Sequence, residues 1–289
     1  MIPRSGKAPL VALVGVSLFM LGACAEPQGV LDRDQEPSVY EADAFVLDDP
    51  GREPVLCLGG VAESLPPQCE GIALAGWDWD AVDGEDAASG STWGTFHVTG
   101  TYDGTTFTVS GAGASQPQPS DSDPRTPPCP EPSDGWSSPD LSIAGEDDMI
   151  AASHAAEQEG DFSGFWINYV EQPMGEVEYE PGSIIVTAAF TGELERHSRE
   201  IREVWGGPLC VIEHQRTYAD LRRIQRELGE GAATELRLEE TWSGVDIQEN
   251  VVDLGVVVAG AVAAQAVDER YGEGTVELHP ALVPADGEA

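Results

Sequence analysis

Five carboxylates stand close together in the loop that follows Gly76-Trp77: Asp78, Asp80, Asp83, Glu85 and Asp86. Carboxylate oxygens are the ligands that Ca²⁺ prefers, so this loop is a candidate calcium site. The spacing departs from the EF-hand pattern, because Ser89 stands where that pattern requires a bidentate glutamate. A solvated acidic loop is the competing interpretation, since the whole chain is rich in carboxylates.

The histidines are the second set of residues that could bind a metal. They are scattered along the chain as His97, His154, His197, His214 and His279. His214 and His279 end two predicted strands that correspond to one another, so a shared sheet would bring the two rings together. With carboxylates nearby, such a pair could bind a metal, although single histidines at strand ends usually serve as polar caps.

Several catalytic classes are excluded by what the sequence lacks. Lys7 is the only lysine, so the rest of the chain can supply neither a Schiff-base lysine nor a P-loop lysine. The nucleophile elbow, the zinc-protease motif and the dinucleotide-binding glycine motif are also absent. We therefore expect a protein that is not an enzyme. The alternatives are a secreted hydrolase with an unrecognised acid or histidine site, and a calcium-binding surface module.

Four cysteines lie beyond residue 24: Cys57, Cys69, Cys129 and Cys210. An even number in an exported chain indicates disulfides, for which three connectivities are possible. We favour Cys57–Cys69, which closes a short loop, and Cys129–Cys210, which attaches a proline-rich segment to a strand. Zinc binding is the weaker alternative, because no Cys-x-x-Cys or nearby histidine pair is present.

The N-terminal residues predict where the protein is located in the cell. Arg4 and Lys7 precede an apolar run over residues 10–21, which is the length of a secretory signal and too short to span a bilayer. The ending Leu21-Gly22-Ala23-Cys24 resembles the lipobox of bacterial lipoproteins. The resemblance implies that residues 1–23 are removed and that Cys24 anchors the chain by lipid to the extracytoplasmic face of the cell membrane. A plain signal peptide is the alternative.

The charge of the chain limits its partners. The net charge is −38, from 14 basic and 52 acidic residues. Removal of residues 1–23 would take away two basic residues and give −40. Such a chain repels nucleic acid, so we expect no nucleic-acid partner. We expect the part of the chain beyond the lipid anchor to be a soluble monomer, because strong acidity disfavours self-association.

The pattern of apolar residues predicts two structured regions. After a tether at residues 24–39, residues 40–111 form short strands and turns, which favour a small all-β domain, either an OB-like barrel or a compact sheet. Within it, Asp103-Gly104 predicts a two-residue hairpin turn that pairs Gly100 with Phe107. Residues 112–139 contain eight prolines and are predicted to form a linker.

Residues 140–285 are predicted to form an α/β domain that contains a duplication, so the whole chain belongs to the α+β class. A shift of 66 residues places Ile184-Ile185-Val186 on Asn250-Val251-Val252, and each half then has the order αββαβ. Trp166 and Trp242 would correspond if the first hairpin carries an insertion. Together with the strand at Leu209, the second half has the βαββαβ order of a ferredoxin-like fold. Chance similarity between the halves is the alternative.

Two resemblances add to this interpretation. The segments Cys57 to Val61, Gly76 to Asp80 and Pro128 to Pro132 resemble those of uncharacterised secreted lipoproteins of actinobacteria, a group with no known activity. The run Gly244-Val245-Asp246 and the valines that follow it are loosely similar to the hairpin in pro-domains of secreted serine proteases. We therefore expect a non-catalytic cell-envelope lipoprotein that binds an envelope protein or a cell-wall component and needs no cofactor.

Overall fold

The computed structural model describes residues 38–115, 126–133, 135–136, 139–169 and 182–285. Over these ranges the protein is a mixed α+β fold with three sheets and four α-helices of nine to twelve residues. The predicted signal, Cys24 and much of the proline-rich linker lie outside the described residues. No helix within the described ranges is long and apolar enough to cross a membrane.

The N-terminal strands form one sheet that closes on itself. They are β1 (Val39–Asp48), β2 (Val55–Ala62), β3 (Gln68–Ala75), β4 (Asp86–Ala88), β5 (Ser91–Tyr102) and β6 (Thr106–Ala114). Strand β1 pairs with β2 on one side and with β5 on the other. Since β3 lies between β2 and β6, and β6 pairs with β5, the pairings return to β1. The result is a five-stranded barrel in which β3 and β6 are parallel.

The interior of the barrel is filled by alternate residues of its strands. Val46, Leu56, Phe96, Val98 and Phe107 are each no more than 1% exposed. Side chains in a strand point alternately to its two faces, so every second residue enters the barrel. Each of these large apolar side chains contributes about 1.5–3 kcal/mol through removal from water.

The β5–β6 hairpin differs in register from the sequence prediction. Tyr102 pairs with Phe107 and Gly100 with Val109, so the connection is longer than two residues. The cause is Asp103, whose carboxylate accepts hydrogen bonds from the backbone N–H groups of Thr105 and Thr106 and widens the turn. The ring of Phe107 still lies against Gly100, because glycine leaves the space that a Cβ would fill.

The C-terminal part consists of two modules with the same element order. The first contains α1 (Glu146–Glu157), β7 (Phe162–Tyr169), β8 (Ile184–Phe190), α2 (Leu194–Arg202) and β9 (Leu209–Glu213). The second contains α3 (Tyr218–Glu227), β10 (Glu240–Asp246), β11 (Val251–Val256), α4 (Ala261–Tyr271) and β12 (Val276–Pro280). In each module an antiparallel hairpin is followed by a helix and a third strand parallel to the second.

The ferredoxin-like sheet expected for the second half is wrong. That fold would place the strand at Leu209 beside β11 and β12, but β9 pairs in parallel with β8 of its own module. The physical reason is the short crossover through α2, which returns the chain next to the strand it has just left. Two separate three-stranded sheets therefore replace the expected four-stranded one.

Capping residues fix the start of α3 and the end of α4 in the second module. The Thr217 side chain accepts a hydrogen bond from the Asp220 backbone N–H at 3.1 Å and caps α3. Helix α4 ends at Gly272, whose φ of 96° favours glycine. Leu221 and Ile224 of α3 are buried against the second sheet.

The C-terminal residues return to the barrel. Strand β13 (Val283–Pro284) pairs with β1, and the Ala285 N–H donates to the Val39 carbonyl at 2.9 Å. Val257 and Leu282 are each 1% exposed and belong to the barrel core. The described residues from 38 onward form one compact unit, so the domain boundaries expected from the sequence stay predictions.

Two disulfides connect parts of the chain that lie on the sheets. Cys57 is joined to Cys69 across β2 and β3, and Cys129 is joined to Cys210 on β9. These are the pairs favoured from the sequence. They close loops of 12 and 81 residues, and on the chain-entropy argument each stabilises the fold by about 3–5 kcal/mol.

The core of the second module provides a test of the fold. Val256 is fully buried, so Val256→Asp should place an unpaired charge in the core and lower the free energy of unfolding by at least about 4 kcal/mol. Urea unfolding followed by circular dichroism measures this. Val262→Asp is the matched control, because Val262 is 84% exposed in the first turn of α4. Equal stabilities of the two variants would contradict the packing described.

Candidate binding face

The second module leaves one side of its sheet without a covering helix. Helices α3 and α4 pack on the side of Val252, Leu254 and Val256. The other side carries the residues that alternate with these, and we call it the open face. It consists of Trp242 and Gly244 of β10, Asp253 and Gly255 of β11, and Glu277 and His279 of β12.

Strand register brings an aromatic ring and a histidine together on the open face. Gly255 pairs with Trp242 on one side and with His279 on the other. Because Gly255 has no side chain, the indole of Trp242 lies over it, in space that a Cβ would occupy. The Trp242 and His279 rings stack at 5.5 Å between centroids with 25° between planes. Trp242 is nevertheless 43% exposed.

Two carboxylates stand beside this aromatic pair. Asp253 pairs directly with Glu277, and the His279 Nε2 lies 2.8 Å from the Asp253 Oδ1. One ligand atom from each of Asp253, Glu277 and His279 lies within 4.8 Å of the others. Among the described residues, no arginine forms an ion pair with either carboxylate. The group therefore offers one nitrogen and two oxygen ligands to solvent.

The same face of the first module is covered. Thr187 pairs with Cys210 there, at the ladder position where Asp253 pairs with Glu277 in the second module. Cys210 carries the disulfide to Cys129, which holds the proline-rich segment against this side of the sheet. As a result, every residue of β8 is buried.

The covering segment also includes an aromatic residue. Trp136 lies with Cys129 near Tyr169 and Ile185, around a cavity of about 590 Å³. From the other direction, Ile247 of the second module approaches Gly164 of β7. The two modules thus share a strand arrangement and differ in what lies on this side of the sheet.

A second histidine–carboxylate group lies in the first module. It contains Glu159, His197 and Glu200, and one ligand atom from each lies within 4.8 Å of the others. The His197 ring is 1% exposed and stacks on Phe190 at 3.7 Å. Its Nε2 lies 2.8 Å from the Asp161 Oδ2.

Arg196 is the cation of this group, in which only His197 is buried. Its guanidinium donates to Glu159 at 2.9 Å and to Glu200 at 2.8 Å, and lies 3.2 Å from the His197 Nε2. Hydrogen bonds from the guanidinium to Glu159 and Glu193 raise the pKa of Arg196 above its usual range. The carboxylates here are already neutralised by the protein's own arginine.

An acidic cavity lies where the barrel meets the second module. It has a volume of about 390 Å³ and is lined by glycine-rich β2 and β3 and by residues 239–241. Three glutamates face it: Glu70, Glu239 and Glu240. The Tyr102 hydroxyl donates to Glu239 at 2.9 Å, and burial together with this hydrogen bond raises the pKa of Tyr102 above its usual range.

The acidic loop after Gly76 does not assemble a group of this kind. The two groups that the described residues bring within 4.8 Å do not include Asp78, Asp80, Asp83, Glu85 or Asp86. Asp78 instead accepts a hydrogen bond from the Asp80 N–H and caps a short 3₁₀ turn. The calcium site stays a prediction, and this geometry gives it no support.

The tryptophans beside the loop contribute to the barrel. Trp77 and Trp79 pack edge to face at 5.3 Å, and both contact Phe96 of the core. The Trp79 Nε1 donates to Asp48 at 3.0 Å. These rings therefore pack against the barrel core.

The histidine pair expected from sequence is wrong, because the two residues belong to different sheets. His214 follows β9 and His279 lies in β12. His214 stacks on Trp166 at 6.1 Å, and His279 stacks on Trp242. Trp166 and Trp242 also do not occupy equivalent positions. Thr187 and Asp253 are equivalent in the two modules, and Thr187 pairs with Trp166 whereas Asp253 pairs with Gly244.

Sequence reasoning missed Trp242, Asp253 and Glu277. Their signal was weak but present: Asp253 interrupts an otherwise apolar strand, and a polar residue at one position of such a run indicates the less buried face. A scan against protein-family models and a search of curated proteins found no match to this chain.

His214 gives a test of burial at the end of the first sheet. Its Nδ1 is buried without a hydrogen-bond partner among the described residues, and burial lowers the pKa of His214. Because the folded-state pKa lies below the unfolded one, protonation favours unfolding. The free energy of unfolding should fall as pH drops below about 6.5, the ordinary histidine pKa.

The variant His214→Phe keeps an aromatic ring against Trp166 and removes the titration. Urea unfolding at pH 7.5 and at pH 5 measures the loss of stability in each protein. We expect a smaller loss in the variant than in the wild type. Equal losses in the two proteins would show that His214 is not protonated at a cost to folding.

Proposed function

We propose that this protein is a non-catalytic cell-envelope lipoprotein that binds an envelope protein or a cell-wall component through the open face. The observation that carries this proposal is the exposed Trp242–His279 pair on a sheet face that is covered in the sister module. An exposed aromatic ring between polar side chains is typical of a binding surface, because tryptophan buries a large area when a partner covers it.

The covered face of the first module supports this use of the open face. There a proline-rich segment lies on the sheet and is retained by the Cys129–Cys210 bond. Proline-rich chain is a good occupant of such a surface, since it loses little conformational entropy when bound. The second module presents the corresponding surface to solvent, where a separate partner can take the same place.

The charge of the chain restricts that partner. The open face carries Asp253 and Glu277, in a chain whose net charge is −38. Approach of an anionic wall polymer is opposed by like charge, whereas a neutral glycan or a basic protein segment is not. We propose a neutral or basic partner.

The finer fold assignments are part of the same proposal. The closed order of β1, β2, β3, β6 and β5, with one parallel pair, supports an OB-like barrel. The shared αββαβ order and ladder positions of the two modules support a duplication. On this proposal one copy has gained a covering segment and the other has kept its face open.

Attachment through Cys24 is the part of the proposal that concerns location. Cys24→Ser removes the sulfur that a lipid would modify, so the chain should stay unprocessed or be released into the medium. Membrane and medium fractions analysed by immunoblotting and mass spectrometry measure this. A Cys24→Ser protein that is processed normally and still partitions with membranes would overturn the lipid anchor.

The open face is tested by site-specific photocrosslinking in intact envelopes. A photoreactive phenylalanine analogue placed at position 242 should form adducts with a wall fragment or an envelope protein. The control is the same analogue at Leu65, which is 78% exposed on the barrel. The adducts formed at 242 should decrease when Gly255 is also replaced by glutamine, because that side chain would occupy the face. Equal adducts at positions 242 and 65 would contradict the proposed surface.

A further inference from the structure

The described residues contain two groups in which one ligand atom from each of a histidine and two carboxylates lies within 4.8 Å of the others, and the two groups differ in one respect. In the first module, Arg196 lies within hydrogen-bonding distance of Glu159, His197 and Glu200. In the second module, Asp253, Glu277 and His279 have no arginine partner among the described residues. The first group contains its own cation, and the second does not.

We propose that Asp253, Glu277 and His279 bind a divalent transition-metal ion of the Zn²⁺ class. The three ligand atoms lie within 4.8 Å of one another, so small side-chain movements would bring them to the roughly 2.0–2.2 Å from one ion that Zn²⁺ requires. All three residues are on strands: Asp253 pairs directly with Glu277, and His279 is the next residue of β12 on the same face. The proposal does not depend on the proposed envelope function.

The ligand set selects the class of metal. Ca²⁺ and Mg²⁺ take oxygen ligands and prefer six or more of them, whereas imidazole nitrogen favours zinc and its neighbours. One nitrogen and two carboxylates make three protein ligands, which leaves a coordination position open for water or for a donor from a partner. The open face is exposed, so that position would be directed to solvent.

The neighbours of the group support a fixed geometry. The Trp242 indole stacks on the His279 ring, and it can do so because Gly255, which lies beneath the indole, has no side chain. A ring held on one face has fewer orientations to lose when its nitrogen binds a metal. The strong negative charge of the whole chain also raises the local concentration of cations.

The test is a Zn²⁺ titration of the purified full chain, followed by isothermal calorimetry. We expect one ion per chain at this site, and weaker binding by at least about tenfold in His279→Ala, because loss of even an outer partner of a metal ligand costs about that much. Glu277→Gln should also weaken binding. Both residues are exposed, and unchanged melting temperatures would confirm that the variants are folded.

His97→Ala is the matched control. His97 is exposed to a similar degree as His279, and it lies 3.3 Å from Asp43 and 3.9 Å from Glu41. The ligand atoms of these three residues do not, however, all lie within 4.8 Å of one another. We expect His97→Ala to bind Zn²⁺ as the wild type does. No binding by the wild type, or equal binding by His279→Ala, would overturn the site.

Two further measurements locate and classify the ion. Co²⁺ quenches tryptophan emission at short range, so it should quench the wild type more than Trp242→Phe, while both bind the ion. A tenfold excess of Ca²⁺ should not displace Zn²⁺. Displacement by Ca²⁺ would overturn the proposed metal class, and identical quenching in the two proteins would overturn the position beside Trp242.

Discussion

A three-stranded sheet with helices on one face must also avoid exposing apolar surface to water on its other face. Both modules in the C-terminal part meet this constraint, because α1 and α2 cover one sheet and α3 and α4 cover the other on a single face. Removing an apolar face from water stabilises a fold, so an uncovered face has to be polar or be used by a partner. The first module covers its second face with the segment held by Cys129–Cys210. The second has polar residues there.

The barrel and the second module depend on each other through shared core residues. Val257 directly follows β11 and is buried in the barrel, together with Leu282. Tyr102 of the barrel donates a hydrogen bond to Glu239 just before β10. The strands that carry the open face are therefore supported at one end by the barrel, which restricts their movement. A rigid sheet preserves the spacing of Asp253, Glu277 and His279.

Features that depend only on neighbouring residues can be predicted from the sequence. The Thr217 cap and the Gly272 end of α4 are of this kind, because they follow from local hydrogen bonding and backbone conformation. The mixed α+β class and the order of elements in each module follow from hydrophobic periodicity. The Asp103 hairpin shows the limit even at short range, since one side-chain acceptor changed the turn length and moved the register.

The candidate site could not be predicted because it depends on pairing between distant strands. His279 meets Asp253 only through the parallel register of β11 with β12, and Trp242 reaches His279 only across Gly255. A shift of one residue in either ladder would turn these side chains to the buried face. The same uncertainty explains why His214 was expected near His279: strand order, which local pattern does not fix, places them in separate sheets.

The pairing of β13 with β1 determines how the described part of the chain would respond to a mechanical load. Its two ends, near Val39 and Ala285, are adjacent in one short antiparallel contact. A force applied between them would break these few hydrogen bonds one after another, since it acts along their direction. Leu282 would then leave the barrel core before any strand of the two modules was disturbed. Tension would thus loosen the barrel first, and β12, the edge strand that carries Glu277 and His279, would be the next element to feel the load.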